Sequence, residues 1–268
     1  MLTILVQNFA IMLAIFFGVW LVSVAIKDAS IVDIVWGPSL AVPALLTYFL
    51  QGGAGPRAVL LTVLVSVWAF RLGGYLAIRN LGHGEDFRYQ AMRQKAGSDG
   101  AFARQSLIRV YFLQCVISFF VSLPVQVGQF GAHPFFGQGA MALGPLALFG
   151  AALFAIGLGF EAIGDAQLRA FKRDPANKGK LMDRGLWAWT RHPNYFGDSA
   201  VWFGLFLIAL ESRSGYLTVL SPVIMFIFLY FLSGKGLLEK LMARKYPGYE
   251  AYKARVSGFF PWPPKPSS

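Results

Sequence analysis

Arg191-His192-Pro193-Asn194-Tyr195-Phe196-Gly197-Asp198 sets two basic side chains, an amide, a phenol and a carboxylate directly before an apolar run, Ser199 to Leu210. Polar groups crowded at the mouth of an apolar helix are costly to desolvate unless they bind one another or a ligand. The basic segment ahead of them makes an anion the expected guest. The stretch therefore reads as a helix entering a bilayer, with a binding site at its start.

The rest of the chain agrees with that setting. Of 268 residues, 56% are hydrophobic and 14% charged, against about 25% charged in an ordinary soluble domain. Mean hydropathy is +0.54. The composition predicts an all-α integral membrane protein, read as a single membrane domain over 1–268. A span needs about 20 apolar residues, and seven stretches approach that length: 4–26, 30–51, 58–79, 109–131, 140–163, 197–211 and 216–234. The sixth is short and is expected to borrow length from the Pro193 turn. No Lys or Arg precedes Lys27, so the first stretch is expected to be a retained span and not a cleaved signal.

Basic residues orient the spans. The 79–109 loop holds six, the 164–196 loop seven and the segment after the last span seven, which is 20 of the 24 in the chain. With seven spans these segments share one side with Lys27. The expected topology has the N-terminus outside, the C-terminus in the cytoplasm and a site opening to the cytoplasmic side. The net charge of +11 is then a property of loops and not a nucleic-acid footprint. The Pro-rich end, Phe260-Pro261-Trp262-Pro263-Pro264, is expected to be interfacial or disordered.

Ionisable residues inside spans are functional candidates, because each is costly unless paired or hydrated. Asp33 lies early in the second span, Arg71 within the third, Glu161 and Asp165 near the end of the fifth and Asp198 at the start of the sixth. Trp68, Arg71 and Tyr75 share one helical face, and Asp33 shares a face with Trp36. These residues are read as the wall of a polar cavity opening to the cytoplasm. In the 164–196 segment Asp165, Arg169, Lys172 and Arg173 are spaced as on a continuing helix, with Lys178, Lys180 and Arg184 beyond. Such a set suits a diphosphate or, equally, anionic lipid headgroups. Asn194, Tyr195 and Asp198 tilt the reading towards a specific ligand. Neither a dinucleotide fingerprint of the Gly-x-Gly-x-x-Gly type nor a phosphate-binding Gly-x-x-x-x-Gly-Lys-Ser/Thr loop occurs. The scattered His83, His133 and His192 give no metal set. Cys115, the one cysteine, reads as a small buried apolar residue.

On these residues the chain resembles the steroid 5α-reductase family, and in particular its bacterial steroid-reductase-like branch. Gly185-Leu186 followed by Asn194-Tyr195-Phe196-Gly197-Asp198 is similar to that family's Gly-Leu and Asn-Tyr/Phe-x-Gly-Glu segments, with Asp for Glu. Asp165, Arg169 and Lys172 match an Asp-x-x-x-Arg-x-x-Arg pattern, and Lys180 falls at an Arg position. Trp68-x-x-Arg71-x-x-x-Tyr75 is similar to a Tyr-x-x-Arg-x-x-x-Tyr helix. Gly37 to Ala44 resembles the stretch after the catalytic Glu, which aligns with Trp36. Lys235 and Glu239 fall where the animal enzymes carry Arg and His.

The resemblance implies a membrane-embedded oxidoreductase acting on CH–CH bonds. NADPH would reduce the double bond of a hydrophobic α,β-unsaturated ketone such as a 3-oxo-Δ4-steroid, entering from lipid, with no obligate protein partner. It implies a cofactor set of Arg71, Asp165, Arg169, Lys172, Lys180, Arg191, His192, Asn194, Tyr195, Asp198, Lys235 and Glu239, with Trp36 and Trp68 lining the substrate slot. Because Trp stands at both positions of the family's Glu/Tyr pair, the proton donor is expected to be Asp33, kept protonated by burial, or Tyr75. Arg-His-Pro-x-Tyr-x-Gly is also similar to a segment of membrane methyltransferases that use S-adenosylmethionine on isoprenylcysteine or phospholipids. A methyltransferase is therefore the alternative expectation.

Overall fold

A computed structural model of the chain describes residues 1–53, 55–131, 143–232 and 235–265, with the backbone alone at 232 and 235–237. The described residues are helical throughout, joined by turns and one isolated bridge. Among the described residues four helices are long and apolar enough to cross a membrane: α1 (Leu2–Ile26), α2 (Ile31–Leu50), α3 (Gly55–Asn80) and α8 (Pro145–Arg173). The chain divides into two compact units. One comprises Met1–Ala147 with Ile208–Ser221, the other Leu148–Leu207 with Pro222–Ser268.

In the first unit α1 is largely apolar, with Asn8 and Ser23 turned inward, and ends at Lys27, whose left-handed backbone (φ 55°) closes the helix. Helices α2 and α3 approach closely because Gly73 faces Pro38 and Gly37 faces Leu72; a β-carbon at Gly73 would come within 2.7 Å of the Pro38 ring. Without a hydrophobic drive between helices in lipid, such close backbone contact is a main source of association. Two short helices follow. Helix α4 (Phe87–Ala96) is capped by the Asp86 carboxylate, which accepts from the Arg88 amide, and α5 (Asp99–Ser106) by the Ser98 hydroxyl.

The expected single span over 109–131 is instead a broken element. A π-helical turn, Leu107–Phe112, leads into α6 (Leu113–Val121), and after Ser122 the chain restarts as α7 (Leu123–Val127) with Pro124 in its first turn. A buried polar network braces this element against α1 and α2. Asn8 donates to the Thr47 hydroxyl (2.8 Å) and to the Gln126 side-chain oxygen (2.9 Å), and Gln126 donates to Ser122 (2.9 Å). Gln129 donates to the carbonyls of Val125 and Ala44. At the end of this unit Glu211 accepts from the amides of Gly144 and Ala147, the start of α8, while Arg57 donates to the carbonyls of Gly128, Gly131 and Glu211.

In the second unit α8 lies antiparallel to α9 (Pro193–Ala209). Gly157 meets the Gly197 carbonyl and Gly204 meets that of Gly150, each at 2.5 Å from where a β-carbon would stand. These glycines recur every seven residues on both helices, at 150, 157 and 164 and at 197 and 204. The result is a seam in which backbones touch. The fifth expected span thus runs on to Arg173, and the sixth begins at Pro193. The seventh, expected over 216–234, is a 3-10 turn (Gly215–Thr218), α10 (Leu220–Ile227) and a second π turn (Phe228–Leu232). Helices α11 (Lys235–Lys245) and α12 (Tyr249–Arg255) follow.

The expectation of a disordered end does not hold through Lys265. Phe259 is buried among Phe196, Phe226 and Tyr230, and the Trp262 amide donates to the Trp189 carbonyl. Phe260 and Trp262 remain exposed, as suits an interface.

Candidate functional site

The Arg191–Asp198 motif sits in the second unit at the start of α9. Proline is well suited to that first turn, where its missing N–H has no helical partner to lose. The segment before it is clamped by α12 and the residues that follow it. The Arg191 amide donates to the Ser257 carbonyl (2.9 Å), the Thr190 hydroxyl to the Phe259 carbonyl (2.8 Å) and the Tyr252 hydroxyl to the Trp187 carbonyl (2.6 Å). Burial, with the neighbouring Tyr249 next, pushes the Tyr252 phenol up, so it stays a donor.

The Arg191 guanidinium is 8% exposed. Its Nε and Nη2 reach Glu239 of α11 at 2.9 and 2.8 Å, and its Nη1 reaches the carbonyls of Lys253 (3.0 Å) and Val256 (2.6 Å). The His192 Nε2 lies 3.4 Å from the same carboxylate, and its ring stacks on Tyr195 at 5.4 Å. Burial alone would raise the Glu239 carboxyl. Hydrogen bonds from His192 and Arg191, with their charge, outweigh it and hold the group down at about 2. Glu239 is therefore a fixed anion at neutral pH.

Beside this node Asn194 donates to Asp165 of α8 at 3.4 Å, while its oxygen accepts from the Tyr195 amide. Asp165 is buried and Asn194, Tyr195 and Asp198 are partly buried. Asp198 follows Asn194 by one helical turn. Arg169 and Lys172 follow Asp165 along α8 at four and seven residues, on the same side of the helix; Arg169 is partly buried and Lys172 exposed. Lys180 is exposed in the loop beyond. The Lys235 side chain lies outside the described residues.

Gln167, which sequence reasoning missed, accepts from the Leu186 amide (2.9 Å) and fills the space that a side chain at Gly185 (φ 62°) would need. With Phe171, Asn177 and Arg184 it lines a cavity of about 400 Å³. The signal was available in the Gly185-Leu186 pair, whose glycine has to be left-handed.

In the first unit Asp33, 16% exposed, accepts from Arg88 (2.7 Å) and from the Tyr89 hydroxyl (2.8 Å). Burial, and after it the Asp33 carboxylate, push the Tyr89 phenol well above its usual value. In both contacts Asp33 is an acceptor, so the arrangement does not offer the proton expected of it. Trp36 and Trp68 meet edge to face at 6.4 Å; Trp68 is wholly buried. The Trp36 indole N–H is buried and has no hydrogen-bond partner among the described residues. The Tyr75 ring is flanked by Arg71 at 5.5 Å and Arg79 at 5.7 Å.

Within the second unit the fold thus joins the motif to Asp165 and Glu239. The acid, amide and cation sequence along α8 and α9 can hold hydroxyls and anionic oxygens together.

The chain is 25% identical over 272 aligned residues to an uncharacterized protein of Schizosaccharomyces pombe, covering 90% of this chain and 75% of that protein. It is 41% identical over 51 residues to a probable O-methyltransferase of Ustilaginoidea virens, covering 19% of this chain and 18% of that protein. No solved structure matches it. The model of the family described as "Protein of unknown function (DUF1295)" matches residues 19–256, and the chain belongs to that family.

Proposed function

We propose that this protein is a multi-pass membrane reductase that uses NADPH to reduce the carbon–carbon double bond of a hydrophobic enone, as in the steroid 5α-reductase family it resembles. The observation that carries the reading is the Asp165–Asn194 contact, with Arg169 and Lys172 continuing along α8. A carboxylate and an amide suit ribose hydroxyls, and cations one and two turns away suit phosphates. Asp198, Tyr195 and Lys180 complete the binding set. Arg191, His192 and Glu239 hold it in place through protein contacts. The same basic loops favour seven spans with the N-terminus outside, the C-terminus in the cytoplasm and a cytoplasmic opening.

NADPH, when bound, supplies the hydride. The chain's own part is to hold the substrate, stabilise the charge that develops on its carbonyl oxygen and deliver a proton. A donor at that oxygen is worth about 3–4 kcal/mol, and the buried Trp36 N–H is available for it. Tyr75 is the proton donor we assign; the flanking Arg71 and Arg79 offset the charge its departing proton leaves. Asp33, held by Arg88 and Tyr89, shapes the site without donating.

The test is direct. Purified protein is expected to bind NADPH and to oxidise it when given a 3-oxo-Δ4-steroid or another flat enone. Asn194→Ala and Asp198→Ala are expected to weaken NADPH binding; wild-type affinity in both overturns the cofactor site. Tyr75→Phe is expected to cost about 10²–10⁴ in turnover with NADPH binding intact, and Asp33→Asn far less.

A second reading rests on the similarity to the probable O-methyltransferase: transfer of a methyl group from S-adenosylmethionine to a lipid or prenyl thiol. Titration calorimetry with both cofactors separates the two. Binding of S-adenosylmethionine without NADPH selects the methyltransferase.

A further inference from the structure

The first unit carries an apolar groove that the proposed reaction does not use. Leu13, Ala14 and Phe17 of α1 and Ile108, Phe112 and Cys115 of the π turn and α6 line a space of about 510 Å³. That is within the range of small-molecule sites. Phe17, Ile108 and Phe112 are about half exposed or more at its mouth, so it opens sideways from helices whose outer faces are apolar. The π turn itself widens the helix at this point, and π turns inside helices recur at functional sites.

One end of the groove is charged. Arg104 precedes Ile108 by four residues, one turn earlier on the face that lines the groove, and Arg109 adjoins it. Both are exposed, and neither forms an ion pair among the described residues. Of the neighbouring basic side chains, Lys27, Arg88 and Arg93 are committed: Lys27 and Arg93 to Asp99, Arg93 also to Glu85, and Arg88 to Asp33 and Asp86. At the same level the Trp20 indole N–H donates to the Ala103 carbonyl (3.0 Å) and Trp20 packs on Phe17. An amphipathic ring of this kind sits at the headgroup level of a membrane. An apolar slot open to hydrocarbon, ending in two uncompensated arginines beside an interfacial tryptophan, matches a molecule with a long chain and an anionic head.

We infer that the groove between α1 and the π turn binds an anionic phospholipid, its chain along Ala14, Phe17, Ile108 and Phe112 and its phosphate on Arg104 and Arg109. None of the groove's lining residues belongs to the proposed cofactor set, so substitutions here test the groove and not that reading.

The full chain in detergent would be titrated with dioleoyl phosphatidylglycerol, dioleoyl phosphatidylcholine and soluble glycerol phosphate, with bound copies counted by native mass spectrometry. One phosphatidylglycerol is expected to be retained in preference to phosphatidylcholine. Each arginine near an anionic head contributes about fivefold, so Arg104→Gln with Arg109→Gln is expected to lose about 25-fold for phosphatidylglycerol and leave phosphatidylcholine unchanged. Ala14→Trp is expected to displace both lipids. Ala14 is itself exposed, so the ring obstructs the mouth without entering the core; Ile108→Gln, also at an exposed position, gives the same readout without added bulk. Equal retention of the two lipids by the wild type, or undiminished phosphatidylglycerol binding in the double arginine variant, overturns the inference. So does glycerol phosphate binding as tightly as the lipid, since the chain would then contribute nothing.

Discussion

Two carboxylates in this protein are held by the same chemistry in different surroundings. Glu239 is gripped by Arg191 and His192, Asp33 by Arg88 and Tyr89. The acids are alike in exposure, 15% and 16%, but Arg191 is 8% exposed and Arg88 44%. Arg191 also satisfies two carbonyls flanking the end of α12 and thereby ties the motif, α11 and α12 together. Arg88 divides itself between Asp33 and its close neighbour Asp86. The first pair is a rivet whose loss strands a partly buried charge and two carbonyls. In the second, water already reaches the guanidinium.

The comparison breaks most easily at Arg191. Arg191→Ala is expected to cost about 3–5 kcal/mol, because the partly buried Glu239 loses its main partner and the carbonyls of Lys253 and Val256 lose their donor; chemical unfolding in detergent measures it. A loss below about 1 kcal/mol would mean that the two nodes do not differ. Arg191→Lys is expected to recover little, since a single ammonium cannot reach a carboxylate and two carbonyls at once.

Acid titration sharpens the same contrast. Glu239 has a folded value of about 2, below that of a free glutamate at about 4.3. Its contribution is fully present above the free value and is lost as pH falls from about 4.3 towards 2. Wild-type stability is expected to drop across that window, and an Arg191→Ala variant to show a shallower drop. Equal slopes in unfolding free energy against pH would remove Glu239 from the account.

Arg88→Ala is expected to cost only about 1 kcal/mol or less in stability, as for half-exposed pairs, while under the proposed reductase reading it lowers turnover because Asp33 and Tyr89 lose their alignment. Thermal unfolding beside a steady-state assay tests this, and a stability loss equal to that of Arg191→Ala would undo the distinction. The smallest effect is expected at Asp183→Asn, whose exposed partner Arg255 lies at 3.2 Å. There a shift within about 0.5 kcal/mol is expected.

Much of this is legible in the sequence. The first three spans were placed within a few residues, because long apolar runs bounded by Lys27, Gly52 and Asn80 leave little choice. The continuation of α8 to Arg173 was readable in the spacing of Asp165, Arg169 and Lys172. The break at Ser122–Pro124 was not, because hydropathy does not register a π turn or a restart braced by the side-chain chain Asn8–Gln126–Ser122, whose first member lies 118 positions before its partner. In the site, the motif marked Asn194 and Asp198. It did not reveal that Arg191 spends its guanidinium on residues 48 to 65 positions later, nor that Asp33 is an acceptor, since Arg88 and Tyr89 lie 55 and 56 positions beyond it.

Composition and the order of apolar runs by themselves determined that this is a helical protein with membrane-length segments, because burial of backbone polar groups in lipid leaves a chain few other forms. They also marked which short stretch is too polar for its place. Only the tertiary structure decided how those polar groups divide between holding the fold and remaining available, because a charge declares its role through the partner that reaches it, and these partners are brought together across long stretches of chain.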